Sequence, residues 1–162
     1  MQSQFLPWYN YPLTDFIMGY IKEGMHVFEF GCGFSTLFYA QNGCNVIAVE
    51  TRESWKAKVQ ELASEYGISE KITIHLEKPH KIHEVLSMQH CIFDLVIIDS
   101  YNRITCLQEA KKLPHKMIVL DNSERQNLQS ATQVMKDYKT LKFQGEGINR
   151  QGQSKATVFT AF

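Results

Sequence analysis

Apolar positions along the chain fall into two alternating rhythms, one helical and one extended. Leu13, Phe16, Ile17, Tyr20 and Ile21 share one face of a 3.6-residue repeat, with Pro12 suited to a first helical turn and Gly24 placed to close the helix. A first strand follows over about residues 25–30 and a helix over about 35–41. Asn45-Val-Ile-Ala-Val-Glu50 reads as a second strand. Thr51 is then an N-cap for a helix striped by Trp55, Val59, Leu62 and Tyr66 and stopped by Gly67. Residues 72–77 alternate as a strand, and 80–89 form a short helix. Phe93 to Asp99 is a continuous apolar run ending in an acid, as a buried parallel strand would be. Residues 103–113 are helical up to Pro114, and Met117 to Asp121 repeats the apolar strand ending in a carboxylate. Ser123 with Gln126 predicts a capping box for a helix carrying Leu128, Ala131, Met135 and Tyr138. The tail departs from this alternation. Residues 140–144 and 155–161 read as two strands joined by a loop containing Gly145, Gly147 and Gly152.

Strands alternating with helices predict an α/β three-layer sandwich: a doubly wound, mostly parallel seven-stranded sheet closed by a C-terminal antiparallel hairpin strand. The 162 residues suffice for a single domain over 1–162, with 1–24 as an N-terminal aromatic arm and helix. Hydrophobic residues at 44% and charged residues at 21% are near globular averages, which excludes a disordered chain. Lys+Arg and Asp+Glu both number 17, and this balance argues against a nucleic-acid partner. Cys32, Cys44, Cys91 and Cys106 form no C-x-x-C and read as free thiols of a reducing cytoplasm. The first ten residues lack the basic start and long apolar run of a signal peptide, and no stretch reaches membrane-spanning length. The expectation is a soluble, cytoplasmic protein with no membrane partner.

The candidate chemistry gathers at strand ends. The stretch from His26 to Thr36, followed by the strand ending at Glu50, has the layout of a nucleotide-type cofactor pocket. Gly31 and Gly33 bare the backbone for close approach, and Glu50, 50 − 31 = 19 residues on, can accept both hydroxyls of a ribose. In open α/β sheets ligands gather at the carboxyl ends of the strands, where Glu50, Asp99 and Asp121 converge. The turn Gly31-Cys-Gly33-Phe-Ser35-Thr36 lacks the third glycine of the dinucleotide fingerprint, and Glu29 before it suits a cofactor bearing an ammonium group better than a pyrophosphate.

On Glu29-x-Gly31-x-Gly33, on Glu50 and on the strand from Phe93 to Asp99, the chain resembles the class I S-adenosylmethionine-dependent methyltransferases from about residue 20 onward. The closing hairpin is similar to that family's reversed last strand. The resemblance implies that Gly31 and Gly33 line the methionine moiety, that Glu29 organises its amino end, and that Ser35 or Thr36 hydrogen-bonds nearby. Glu50 would hold the ribose, with adenine near Thr51 and the loop from Glu77 to Pro79. Cys32, Asp99 and Ser100 complete the implied cofactor-binding set. Each residue also has a plainer reading: Glu29 and Thr36 as caps of the turn and helix, Cys32 as a packed side chain, and Glu50 as an acid at a helix N-terminus.

Asp99 and Asp121 are the candidate catalytic groups, because oxygen or nitrogen acceptors protonated at neutral pH need a base or a metal. Asp121 equally suits joining Ser123 in capping the next helix. Asp99 with Asp121 and Asn122 also resembles the divalent-metal site of catechol-type O-methyltransferases, whose oxygen ligands suit magnesium or calcium; Ser-Tyr-Asn-Arg after Asp99 departs from that group, and a metal is not favoured. Asp99-Ser-Tyr-Asn102 is not the Pro-Pro-aromatic loop of adenine and glutamine N-methyltransferases, and no Pro-Cys exists for cytosine methylation. Cys106 reads as packing. Arg103 and Arg125 could meet an anionic substrate, although paired or solvated arginines are commoner. His75, His80 and His83 make an incomplete zinc set, and the glycine-rich tail lacks the lysine of a phosphate loop. The arm from Phe5 to Pro12 is either a lid or a packed segment or dimer contact. With no separate substrate domain, the pocket is open or is completed by this arm or by a second subunit in a homodimer.

The leading expectation is therefore an enzyme transferring a methyl group from S-adenosylmethionine to an oxygen or nitrogen of a small molecule. A non-catalytic cofactor-binding sensor or scaffold is the alternative from another class, and a nicotinamide-dependent oxidoreductase is the third.

Overall fold

A computed structural model of the chain describes residues 4–149 and 152–160. Seven strands form one sheet in the order β3-β2-β1-β4-β5-β7-β6. They are β1 His26–Phe30, β2 Asn45–Glu50, β3 Ile72–Leu76, β4 Phe93–Ile98, β5 His115–Leu120, β6 Lys139–Glu146 and β7 Gln153–Thr160. The first five are parallel; β7 runs antiparallel to β5, and β6 antiparallel to β7. The chain begins at the centre, builds outward through β2 and β3, and returns to β4 on the other side of β1. The strand order thus reverses between β1 and β4, where an open α/β sheet has its ligand crevice.

Side-chain alternation along these strands makes two cores. Val27, Leu95, Ile97, Val119 and Val158 face α1 Tyr11–Tyr20, α2 Phe34–Gln41 and α3 Glu53–Glu65. Phe28, Phe30, Val96, Ile98, Ile118 and Phe159 face α4 Ile82–Ser87, α5 Arg103–Lys112 and α6 Ala131–Val134. Apolar residues on both faces of the central strands explain their unbroken hydrophobic runs, since a parallel sheet is covered on both sides. The predicted three-layer sandwich is the observed one.

Local differences have physical causes. The first helix ends at Tyr20, and Gly24, at φ +83°, instead turns the chain into β1. Thr51 does not cap α3; its backbone N–H is taken by the Glu50 carboxylate, and Arg52 holds the cap position. The capping box at Ser123 and Gln126 does not form. Ser123 is drawn to β7, where its N–H bonds the Lys155 carbonyl at 2.9 Å and its hydroxyl accepts from Thr157 at 2.9 Å. The predicted long helix is therefore a turn, a short 3₁₀ segment over Gln126–Leu128, and the four-residue α6.

The N-terminal arm is packed. Phe5 is buried edge-on against Phe34 and Tyr66, and the Tyr9 and Tyr39 hydroxyls meet at 3.2 Å in the core. Asn10 joins arm and tail: its Oδ1 caps α1 by accepting the Leu13 N–H at 3.0 Å, while its Nδ2 donates to the carbonyls of Ser154 (3.2 Å) and Phe143 (3.4 Å). Asn10→Ala removes one helix cap and leaves two carbonyls without this donor. It should lower unfolding free energy by about 2–3 kcal/mol, seen as a reduced urea midpoint at unchanged slope.

Candidate active site

The carboxyl ends of β1, β2 and β4 open into a cleft of two adjoining chambers, of about 280 and 150 Å³. Gly31, Glu50, Arg52 and Asp99 line both. The larger chamber adds Thr51, Ser100, Tyr101, Arg103 and Arg125; the smaller adds Trp8, Tyr9, Glu29, Ser35 and Trp55, among others.

Gly31 lies at φ +92°, and a Cβ there would meet the Asp99 carbonyl oxygen at 2.6 Å. Strand β1 thus leaves the sheet through a turn that only glycine fits, pressed against the end of β4. Gly33 is extended, and its missing side chain leaves space beside the Trp55 indole. The two glycines serve different ends: the first permits the turn, and the second leaves room above it.

Glu50 is buried at the end of β2 and organises the next turn. Its Oε1 accepts the N–H groups of Thr51 (2.8 Å) and Arg52 (2.9 Å), and its Oε2 faces the Cys32 N–H at 3.3 Å. The Arg52 guanidinium stands 3.5 Å away and also lies over the Trp55 ring. Cys32 lines the cleft through its backbone, and its carbonyl accepts the Trp55 indole N–H at 2.5 Å. Burial pushes its thiol up, which marks a packed side chain rather than a nucleophile.

Glu29 is the unusual acid. It lies fully inside the protein on the helix α1–α3 side of β1, where both carboxylate oxygens receive hydroxyls: Ser35 donates to Oε1, and Thr36 to Oε2 at 2.5 Å. Thr36 in turn accepts the Gly33 N–H at 2.9 Å, so the same residue caps α2 and holds Glu29. Burial pushes Glu29 up to about 8, against the pull of the two hydroxyls and with help from the Asp99 and Glu50 charges.

Asp99 and Asp121 part company. Asp99 lines both chambers with 39% of its side chain exposed. Asp121 is buried and lines neither chamber. Between them sits the buried guanidinium of Arg103, at the start of α5. It donates to Asp99 Oδ1 (2.6 Å), the Asp121 carbonyl (2.5 Å), the Ser100 carbonyl (3.0 Å) and Asn122 Oδ1 (3.3 Å). The Asp99 carboxylate and the Asn122 side-chain oxygen, two of the three ligands a divalent metal would need here, thus face an organic cation instead. Among the described residues no three His, Cys, Asp or Glu side chains cluster as metal ligands. The sequence Glu77 to Pro79 does not line the cleft; the Pro79 carbonyl instead accepts the Asn102 side-chain amide at 2.9 Å. Cys106 is packed on α5, its thiol pushed up to about 12 by burial.

The aromatic arm, left open between lid and packed segment, is packed and also supplies Trp8 and Tyr9 to the cleft, while sequence reasoning missed Arg52 and Trp55 as walls. Trp8 stacks on Phe34 with ring centroids 5.3 Å apart and overhangs the smaller chamber. Trp55 is spaced as part of a helical stripe and instead turns its indole to the glycine turn.

No protein-family model and no curated protein sequence matches the chain. Solved structures do. An O-methyltransferase of tomaymycin synthesis from Streptomyces achromogenes, solved with S-adenosylmethionine, is 15% identical over 90% of this chain and 76% of its own, with a TM-score of 0.72. An O-methyltransferase from Bacillus cereus, in complex with S-adenosylhomocysteine, is 15% identical over 83% and 73%, with a TM-score of 0.71. The C-terminal domain of a precorrin-6Y C5,15-methyltransferase from Rhodobacter capsulatus is 13% identical over 99% and 95%, with a TM-score of 0.71. The chain has the fold of the class I S-adenosylmethionine-dependent methyltransferases.

The position of Glu29 sets a pH dependence. An ordinary glutamate ionises near 4.5 and Glu29 near 8, so between these values the unfolded chain has lost a proton that the folded protein keeps. Its contribution is fully present below about pH 4.5 and is lost as pH rises through about 8, at about 1.4 kcal/mol per unit. Glu29→Gln should therefore gain on the parent by about 2–3 kcal/mol between pH 5.5 and 7.5, measured by urea unfolding. A stability difference flat with pH would refute the assignment.

Proposed function

We propose that the protein is a methyltransferase that binds S-adenosylmethionine in the cleft and passes its methyl group to an oxygen or nitrogen of a small molecule. The observation that carries this reading is the pairing of two acids across the glycine turn. Glu50 stands ready for a diol, and Glu29 is buried where an ammonium group would meet it. Three cofactor moieties then have partners of matching chemistry. The ribose hydroxyls meet Glu50, the amino group meets Glu29, and the backbone between Gly31 and Gly33 lies open to close approach. The fold's occurrence in proteins solved with S-adenosylmethionine and S-adenosylhomocysteine supports the same reading.

When bound, the cofactor supplies an electrophilic methyl on a sulfonium. The chain's part is to position and to keep dry. Trp8 and Tyr9 wall the methionine side of the cleft, and Trp55 braces the turn beneath it. Glu29 exchanges its proton for the ammonium charge. Asp99, open to the cleft and oriented by Arg103, is the candidate base for the acceptor's proton, while Asp121 supports Arg103 through its carbonyl. The even charge balance of the chain favours a small acceptor over a nucleic acid.

A second reading, binding without transfer, rests on one observation: Arg103 already engages the carboxylate of Asp99, the candidate base open to the cleft. Formation of S-adenosylhomocysteine on turnover separates the two. Calorimetry should show binding of S-adenosylmethionine and S-adenosylhomocysteine and none of NADH. Glu50→Ala should weaken both roughly a hundredfold, the loss of two hydrogen bonds to a charged acceptor. Glu50→Gln keeps the acceptor oxygen for the Thr51 turn and controls for folding. Unchanged affinity in Glu50→Ala would remove Glu50 from the cofactor site.

A further inference from the structure

Arginines outnumber acids on the lining of the larger chamber. Its charged lining consists of Arg52, Arg103 and Arg125 against Glu50 and Asp99. Arg52 is paired with Glu50 at 3.5 Å and Arg103 with Asp99 at 2.6 Å. Arg125 is left over, for none of the ion pairs of the described residues includes it. Its guanidinium makes one hydrogen bond, to the neutral Asn122 Oδ1 at 2.8 Å. Arg103 donates to the same oxygen at 3.3 Å, so two cations converge on one uncharged acceptor. Burial lowers the basicity of Arg103, with Arg125 adding to this and Asp99, Asp121 and Glu124 opposing it.

This arrangement is anchored. Asn122 is buried, with its backbone in the left-handed region at φ +51°, and its Nδ2 has no hydrogen-bond partner. The Arg125 N–H bonds the Asn122 carbonyl at 3.1 Å, and the Arg125 carbonyl accepts from Leu128 at 2.9 Å. The backbone is thus fixed in a turn while the guanidinium head faces an open chamber. Tyr101, 58% exposed, also lines this chamber. A cofactor carrying a sulfonium would add a further positive charge to this space.

We propose that the methyl acceptor carries an oxyanion, a carboxylate or a phosphate, and that Arg125 binds this group at the wall of the larger chamber. The planar guanidinium fork matches both oxyanions, and an anion there would give Arg125 the charged partner it lacks among the ion pairs of the described residues. Arg103, already committed to Asp99 and two carbonyls, stays fixed behind it and adds its field. The proposal rests on the methyltransferase reading and deepens it by naming the class of acceptor.

The test uses the full chain saturated with S-adenosylhomocysteine. Benzoate, phenyl phosphate and benzamide are titrated by calorimetry into the parent, Arg125→Ala and Arg125→Lys. In the parent, at least one of the two anions should bind roughly ten- to a hundredfold more tightly than benzamide, the worth of a charge-assisted pair. The anion preferred distinguishes a carboxylate acceptor from a phosphate one. Arg125→Ala should erase the advantage and Arg125→Lys retain part of it, with S-adenosylhomocysteine affinity equal in all three. Benzamide matching both anions in the parent overturns the proposal, and so does an anion advantage that survives Arg125→Ala. Weaker S-adenosylhomocysteine binding by Arg125→Ala would assign the residue to the cofactor and overturn it too. Failure of the parent to bind S-adenosylhomocysteine is separately visible; it removes the methyltransferase reading and this proposal with it.

Discussion

The close passage of Gly31 against the carbonyl of Asp99 governs the architecture of the site. Ladder bonding runs past the ends of the strands here: the Gly31 N–H reaches the Val49 carbonyl at 2.8 Å, and the Asp99 N–H reaches the Phe30 carbonyl at 3.1 Å. Three chain segments are thereby held together at one edge of the sheet, and each then turns away in its own direction. Any side chain at Gly31 would both force a left-handed backbone to carry a Cβ and drive that atom into β4. Without this contact the loops after β1 and β4 could not share a cleft, and Glu29, Glu50 and Asp99 would not face a common space.

Around this contact the protein treats two buried ionisable groups in opposite ways. Glu29 has hydroxyl donors but no cation, and desolvation prevails, so the acid keeps its proton near neutrality. Arg103 is buried as well, but a carboxylate and two carbonyls compensate the guanidinium, and burial only tempers its basicity. The first group is poised to change state when a cation arrives. The second is a fixed charge that orients Asp99. One side of the cleft is thus responsive and the other rigid.

The fold was legible because the strands are short, apolar and bounded by acids or glycines, and the helices between them carry clear stripes. That Glu29, Gly31 and Glu50 line one cleft was legible for a related reason: one βαβ step brings the turn after its first strand and the end of its second to the same edge of the sheet. What stayed hidden depends on contacts distant in sequence. Trp8 and Tyr9 reach the cleft only because Phe5 and Asn10 pin the arm across α2 and the hairpin. Ser123 has the local pattern of a helix cap, yet Thr157 and Lys155 on β7 claim it. The roles of Arg103 and Asp121 were invisible for the same reason. An arginine opening a helix and an acid ending a strand give no sign that the first will be buried over the second's carbonyl.

The bond between arm and tail has a consequence for how the molecule comes into being. Tyr9, a wall of the smaller chamber, is held through its carbonyl by the Ile148 N–H at 2.8 Å, and Asn10 bridges to Gly147 and Ser154. These partners lie more than a hundred residues downstream, so the contact cannot form until the C-terminal hairpin has been synthesised. A nascent chain that has threaded out β1 to β5 already holds Glu29, Glu50 and the glycine turn, but not the wall that shields them. The tie that holds this wall is made only when the hairpin docks, so the smaller chamber of a growing polypeptide lacks it until the C-terminal strands have emerged.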